Sequence, residues 1–187
     1  MGILEGIHNI DAQILLFIQQ YLRNDLFSWF WKGVTFLGDA GWFWIVLTAF
    51  LIFQKKTRKT GFTAALALII GSIITNLILK NAVARIRPYD AVEGLIPLVA
   101  KLKDYSFPSG HTCASFACAV VYYRMYPDKP GKAALILAVL IAVSRLYVGV
   151  HYPTDVLAGG LIGWLSAAAA LAMVPYLERR KTVKDKN

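Results

Sequence analysis

Charge disappears from the chain between Gly61 and Leu79, where GFTAALALIIGSIITNLIL covers nearly the ~20 residues that carry a helix across a bilayer. Val156 to Tyr176 is a segment of the same kind. Three other apolar stretches are shorter or less pure: Gly41 to Phe53, Ser109 to Tyr126 and Lys132 to Val148. Each needs its flanks, or burial among neighbours, to complete a span. The pattern predicts an all-α fold class, an integral membrane helical bundle of about five transmembrane helices. Ahead of it, Ile14, Phe17, Ile18, Tyr21 and Leu22 recur at helical spacing, while Asp11, Gln19, Gln20 and Arg23 supply polar positions. That combination predicts a helix lying in the membrane interface. LFSWFWKGVTFLG, residues 26–38, is too short to span, and its tryptophans and Lys32 suit the headgroup region.

These segments make one domain: interfacial amphipathic helices over 1–38, a transmembrane core over 39–176 and a basic tail over 177–187. No repeat or linker marks a second.

Composition sharpens the class. Hydrophobic residues are 57% of the chain and mean hydropathy is +0.53, well above soluble usage. The formal charge of +9 resides in short clusters beside apolar runs, which suits topology signals and anionic lipid or phosphate partners, not nucleic acid. Cys113 and Cys118 are five apart in one apolar run, so they face different ways on a helix and are not expected to form a disulfide. No cysteine and histidine spacing of the metal-binding kind occurs.

Basic clusters also set the orientation. QKKTRK (54–59), then Arg124, Lys129 and Lys132, then ERRKTVKDKN (178–187) fall on one side of a five-span bundle, which the positive-inside rule makes cytoplasmic. Lys80, Arg85, Arg87 and Arg145 fall on the other side and break the rule. Exceptions of that kind need a local reason.

Three stretches on that side supply one. KNAVARIRP (80–88) ends a span with positive groups, Pro88 being expected to stop the helix. Taken alone, Lys80 and Arg87 are equally explained as snorkelling cations at a helix C-terminus. FPSGHT (107–112) opens the next span, with Ser109 as N-cap, Gly110 allowing close backbone approach and His111 in the first turn. Such a helix N-terminus accepts a phosphate readily. SRLYVGVHYPTD (144–155) carries Arg145, suited to bidentate phosphate contact, and His151 with Asp155 four residues on. Pro153 favours a new helix starting between them. An aspartate so placed holds one imidazole nitrogen and leaves the other as a nucleophile or base.

Together these stretches resemble the type 2 phosphatidic acid phosphatase superfamily. Its signature is a lysine, six residues and Arg-Pro; then Pro-Ser-Gly-His; then Ser-Arg, five residues, a histidine, three residues and an aspartate. KNAVARIRP, PSGH and SRLYVGVHYPTD fit every defined position, in order, from Lys80 to Asp155. The resemblance implies that His151 is the nucleophile taking the phosphoryl group, that Asp155 orients it, and that His111 protonates the leaving oxygen. It implies phosphate binding by Lys80, Arg87, Ser109, Gly110 and Arg145, with no metal and no cofactor. Fixed donors of this number can stabilise transition-state charge where other enzymes use a magnesium ion.

Within the family, small bacterial members of this layout resemble undecaprenyl-pyrophosphate phosphatases. Others act on phosphatidylglycerophosphate, phosphatidic acid or diacylglycerol pyrophosphate. The expectation is a multi-pass enzyme of the bacterial plasma membrane, its site on the extracytoplasmic side, acting on a membrane lipid phosphate. The loop Tyr89 to Phe107, with Asp90, Glu93, Lys101, Lys103 and Asp104, is the expected head-group filter. An anion-binding transporter or channel, or a phospholipid-binding scaffold without turnover, remains the alternative from the residues alone. Nothing in the sequence signals an oligomeric state.

Overall fold

The computed structural model describes residues 2–184, with side chains at position 2 and over 5–174. Every regular element among them is helical. Helix α1 (Ile3–Phe17) runs into a π-helical turn, Ile18–Leu22, and is followed by α2 (Asp25–Leu37), whose N-cap Asn24 accepts from the Phe27 N–H at 2.9 Å. A 3-10 turn, Asp39–Gly41, leads to α3 (Trp42–Phe53). Then α4 (Arg58–Ser72) continues through π-helical Ile73–Leu79 into α5 (Lys80–Val83). The short α6 (Pro88–Ala91) precedes α7 (Gly110–Met125), α8 (Lys129–Tyr147) and α9 (Pro153–Lys184).

Among the described residues, three helical stretches are long and apolar enough to cross a membrane: Arg58–Ala91, Lys129–Tyr147 and Pro153–Val174. The pair Asp25–Leu37 and Asp39–Phe53, bent by 41°, meets the same test when taken as one broken span. The sequence separated that pair into an interfacial piece and a crossing. At 16 residues, α7 is shorter, and its position explains its impure sequence. It is the axis of the bundle, packed against α4, α8 and α9, with Cys113, Ala117, Cys118, Ala119 and Val121 buried. Small residues let the neighbours approach closely, as membrane helices favour. A Cβ on Gly163 of α9 would run into the Cys113 carbonyl of α7. Polar bonds tie α3 to the same axis: Trp44 Nε1 donates to Ser115 Oγ at 2.9 Å, and Thr48 Oγ1 lies 2.7 Å from the Tyr122 hydroxyl. Both cysteines are free and buried.

Two expectations are revised. Pro88 does not stop the helix before it. That helix ends at Ala84, which takes a left-handed conformation (φ 48°) and donates its N–H to the Lys80 carbonyl. Pro88 instead opens α6, where a missing N–H costs nothing. Arg85 and Arg87 therefore leave an irregular segment in separate directions. Three of the polar positions of the N-terminal segment, Asp11, Gln19 and Arg23, also turn inward, while Gln20 stays exposed. Gln19 and Arg23 bond the carbonyls of Gly94 and Ile96, Arg23 reaches the Tyr147 carbonyl, and Asp11 is buried. The apolar side, with Ile7, Ile10, Ile14 and Phe17, is exposed. The basic tail expected over 177–187 lies outside the residues whose side chains are described.

Candidate active site

A cavity of about 290 Å³ opens at the bundle end where α5, α7 and the α8–α9 turn meet. Lys80, Arg87, Gly110, His111 and His151 line it, together with Gly38, Asn76 and Asp104. Three separate stretches of sequence are thus brought to one space. Local structure explains how. Ser109 caps α7, its hydroxyl accepting from the Thr112 N–H at 3.4 Å and from the Thr112 hydroxyl at 3.0 Å, which sets Gly110 and His111 in the first turn. Helix α9 begins at Pro153, so His151 is in the turn before it and Asp155 in its first turn. The Asp155 carbonyl accepts from the Ser109 N–H at 3.0 Å, locking the two motifs together.

His151 is 1% exposed. Its Nε2 lies 3.4 Å from Arg87 Nη1, and its Nδ1 lies 3.5 Å from Asp155 Oδ2 without a hydrogen bond. That oxygen already accepts from Ser106 Oγ at 2.5 Å and from the Tyr152 N–H at 2.9 Å. Burial pulls the imidazole down to about 3; the Asp155 carboxylate opposes this, and the Arg145 and Arg87 charges add to it. At neutral pH the ring is uncharged, the state a nitrogen nucleophile requires.

The cations are held by carboxylates. Lys80 Nζ donates to Asp104 Oδ2, and Arg87 Nη2 donates to Asp104 Oδ1 at 2.6 Å. Arg87 is further fixed by the carbonyls of Asp104 and Val150, both at 2.8 Å. Partial burial would raise the Asp104 carboxyl, but the Lys80 hydrogen bond and the Arg87 and Lys80 charges outweigh it and hold it at about 2. Asp104 therefore occupies the two cations as a phosphate would. Arg145, buried behind the cavity wall, donates from Nη1 to Thr35 Oγ1 at 2.5 Å, and its Nε has no partner among the described residues. An unpartnered buried guanidinium N–H is a donor still free for an anion.

Several groups here escaped the sequence reading. Arg85, one of the outward basic residues, does not face the cavity. Its Nη1 donates to Asp155 Oδ1 and Thr154 Oγ1, each at 2.7 Å, and its Nη2 to Asp11 Oδ2 at 2.7 Å. The guanidinium stacks 3.8 Å over the Tyr152 ring. A buried Asp11–Arg85–Asp155 chain thus ties α1 to the residue behind His151. Asp39, from the turn between α2 and α3, accepts from His111 Nε2 at 2.8 Å and is 4.0 Å from Arg145. Neither aspartate belongs to a motif, and their partners are more than 70 residues away in sequence. Only the isolated charge of each in an apolar context marks it. Among the described residues, no group of three or more His, Cys, Asp or Glu is placed to hold a metal ion.

Residues 60–179 match the model of the PAP2 superfamily. The chain belongs to that superfamily. It is 39% identical over 136 residues to an undecaprenyl-diphosphatase of Sulfolobus acidocaldarius, covering 71% of this chain and 66%, just under two thirds, of that protein. Its fold is similar to the crystal structure of a transmembrane PAP2 type phosphatidylglycerolphosphate phosphatase from Bacillus subtilis, with a TM-score of 0.73 at 28% identity, covering 90% of this chain and 86% of that one. Aquifex aeolicus LpxE gives a TM-score of 0.72 at 27% identity, covering 86% and 93%. The chain is thus a membrane-embedded member of the PAP2 superfamily whose relatives in sequence and in fold include lipid phosphatases.

Proposed function

We propose that this PAP2 lipid phosphatase removes the terminal phosphate of a polyprenyl pyrophosphate such as undecaprenyl pyrophosphate, through a phosphohistidine on His151. The observation that carries the chemistry is the buried, neutral His151 on the wall of a cavity whose cations, Lys80 and Arg87, already bind an anionic group. Nε2 attacks phosphorus while His111 protonates the departing oxygen. Lys80, Arg87, Arg145 and the α7 N-terminus with Ser109 and Gly110 hold the phosphate oxygens, and Asp155 orients the nucleophile. Water then cleaves the N–P bond. The positive charge serves the metaphosphate-like transition state in the way a metal clamp does elsewhere.

A lipid is supported by the cavity's other wall. Ile45, Leu68 and Ala114 line it, and Ile45, Leu68 and Ser72 are shared with an apolar groove of about 460 Å³ between α3 and α4. A head group in the cavity can keep its tail at the lipid face. The polyprenyl pyrophosphate is supported by the identity to the undecaprenyl-diphosphatase. Phosphatidylglycerophosphate is the second reading, supported by the structural likeness to the Bacillus subtilis enzyme. Basic clusters at 54–59 and 124–132 support an extracytoplasmic site in the plasma membrane.

Phosphate release by purified protein in detergent with EDTA, measured on polyprenyl pyrophosphate, phosphatidylglycerophosphate and phosphatidic acid beside a His151→Ala control, tests this. The highest kcat/KM is expected on the pyrophosphate, with no activity in the control. Preference for a phospholipid overturns the substrate, and loss in EDTA restored by magnesium overturns the mechanism.

A further inference from the structure

The turn between α2 and α3 brings to His111 a carboxylate that no motif contains, with Asp39 Oδ1 2.8 Å from His111 Nε2. The approach is shaped by its neighbours. A Cβ on Gly38 would come within 2.8 Å of His111 Cδ2 and equally close to Ile141 Cγ2, so only glycine lets the turn sit this near the ring. Ala40 and Gly41 follow with φ of 50° and 68°, a double left-handed step between α2 and α3. One turn earlier, Thr35 accepts from Arg145, which fixes the end of α2 against α8. The bend between α2 and α3 is thus pinned at the site.

The charge around His111 gives that contact its consequence. Arg145 faces it from α8 and Lys80 from α5, while Arg87 and the neutral His151 line the same cavity. The other carboxylate there, Asp104, is committed to Lys80 and Arg87. Burial and the Arg145 and Lys80 charges disfavour a second proton on this ring; Asp39 opposes them, and an anion entering between the cations adds to its effect. Among the described residues, His111 Nδ1 has no hydrogen-bond partner, so one ring edge meets Asp39 and the other is open.

We propose that Asp39 is the positioning residue of the acid step, holding His111 by Nε2 so that the ring, once an anionic substrate lies among the cations, carries a second proton and presents Nδ1–H to the leaving oxygen. The inference rests on the reading of His111 as the acid. As the His151 Nε2–phosphorus bond forms, the bond between phosphorus and the leaving oxygen breaks. Its electron pair stays on that oxygen, which takes the Nδ1 proton. In the second step the neutral His111 takes a proton from the attacking water, the N–P bond breaks with its electrons returning to His151, and inorganic phosphate leaves. Asp39 holds the ring through both steps without touching substrate, a division of labour like that of the aspartate in a Ser-His-Asp triad.

Two leaving groups separate this role from a structural one. Phosphatidic acid expels an alkoxide and needs the proton; nitrophenyl phosphate expels a stable phenolate and does not. Asp39→Asn should lower kcat on phosphatidic acid by about 10- to 100-fold, less than the ~100- to 10,000-fold a general acid itself contributes because the acid remains, with KM changed less than about twofold. Its turnover of nitrophenyl phosphate should stay within about threefold of the unchanged protein, which also reports that the variant is folded. Asp39→Glu should restore most of the loss. His111→Ala, run beside them, should show the same split more strongly. If His111→Ala loses both substrates equally, the acid reading itself fails. If His111→Ala splits them but Asp39→Asn loses both equally, loses neither, or turns over faster because a resident anion has been removed, Asp39 has no such role.

Discussion

Replacing Arg85 with glutamine removes the cation shared by two aspartates whose side chains are 2% and 0% exposed. Asp11 loses its 2.7 Å partner, and Asp155 loses the one on Oδ1. Breaking a buried pair by deleting one member costs about 3–5 kcal/mol, because the remaining charge is left uncompensated. For a protein of this size each kcal/mol moves the melting midpoint by about 2–4 °C, so a fall of roughly 6–20 °C is expected. Tryptophan fluorescence during heating in detergent measures it. The sharper test is the sign of a second change. Asp11→Asn should destabilise the protein when Arg85 is present. In the Arg85→Gln background the same change removes an orphaned charge and should raise the midpoint. A fall under about 2 °C for Arg85→Gln, or an Asp11→Asn effect of the same sign in both backgrounds, would refute the buried chain of charges.

Acid should unfold the protein partly through His151. Its folded value of about 3 is depressed below the ordinary ~6.5, so the unfolded chain binds the extra proton first. Stability is then full above about pH 6.5 and declines as pH falls toward 3; His151→Gln should flatten that slope in denaturation curves, and an unchanged slope would count against the buried neutral ring. Asp104→Asn should free Lys80 and Arg87 for an anion. Its depression to about 2 is worth at most about 2.5 kcal/mol, cut to about 1 because the side chain is half exposed. Vanadate should therefore inhibit that variant about fivefold more tightly, and weaker inhibition would show that Asp104 helps bind the anion. For topology, Glu93→Cys on a background lacking Cys113 and Cys118 should react with an impermeant maleimide in intact cells and Lys56→Cys should not; the reverse pattern would place the site in the cytoplasm.

Much of the site was legible because its residues come in motifs at helix ends, where a charge beside an apolar run is costly and visible. Ser109 as the cap of α7 and Pro153 as the start of α9 follow from local chemistry, while the meeting of Lys80, Arg87, His111 and His151 was expected from the shared side of their stretches and from the family resemblance. Charge that depends on distant partners was not legible. Asp11 reads as the polar side of an interfacial helix, yet Arg85 and Thr154 bury it. Asp39 follows a stretch that reads as headgroup aromatic, and only the turn beside α7 gives it a role. The helical class followed from the apolar runs, but their boundaries did not. The α2–α3 pair joins across a bend that one-dimensional pattern splits in two, and α7 is sheltered by protein, so its composition follows packing and not lipid.

The most direct measurement is a search for the covalent intermediate. Polyprenyl pyrophosphate labelled in its terminal phosphate is mixed with purified protein and quenched in alkali within milliseconds to seconds, conditions in which phosphohistidine persists and acyl phosphates do not. Label should appear on the peptide containing His151, decay at the rate of phosphate release, and be absent from His151→Ala. Turnover without any labelled protein, or label on a residue other than His151, would contradict a phosphohistidine at the centre of the mechanism.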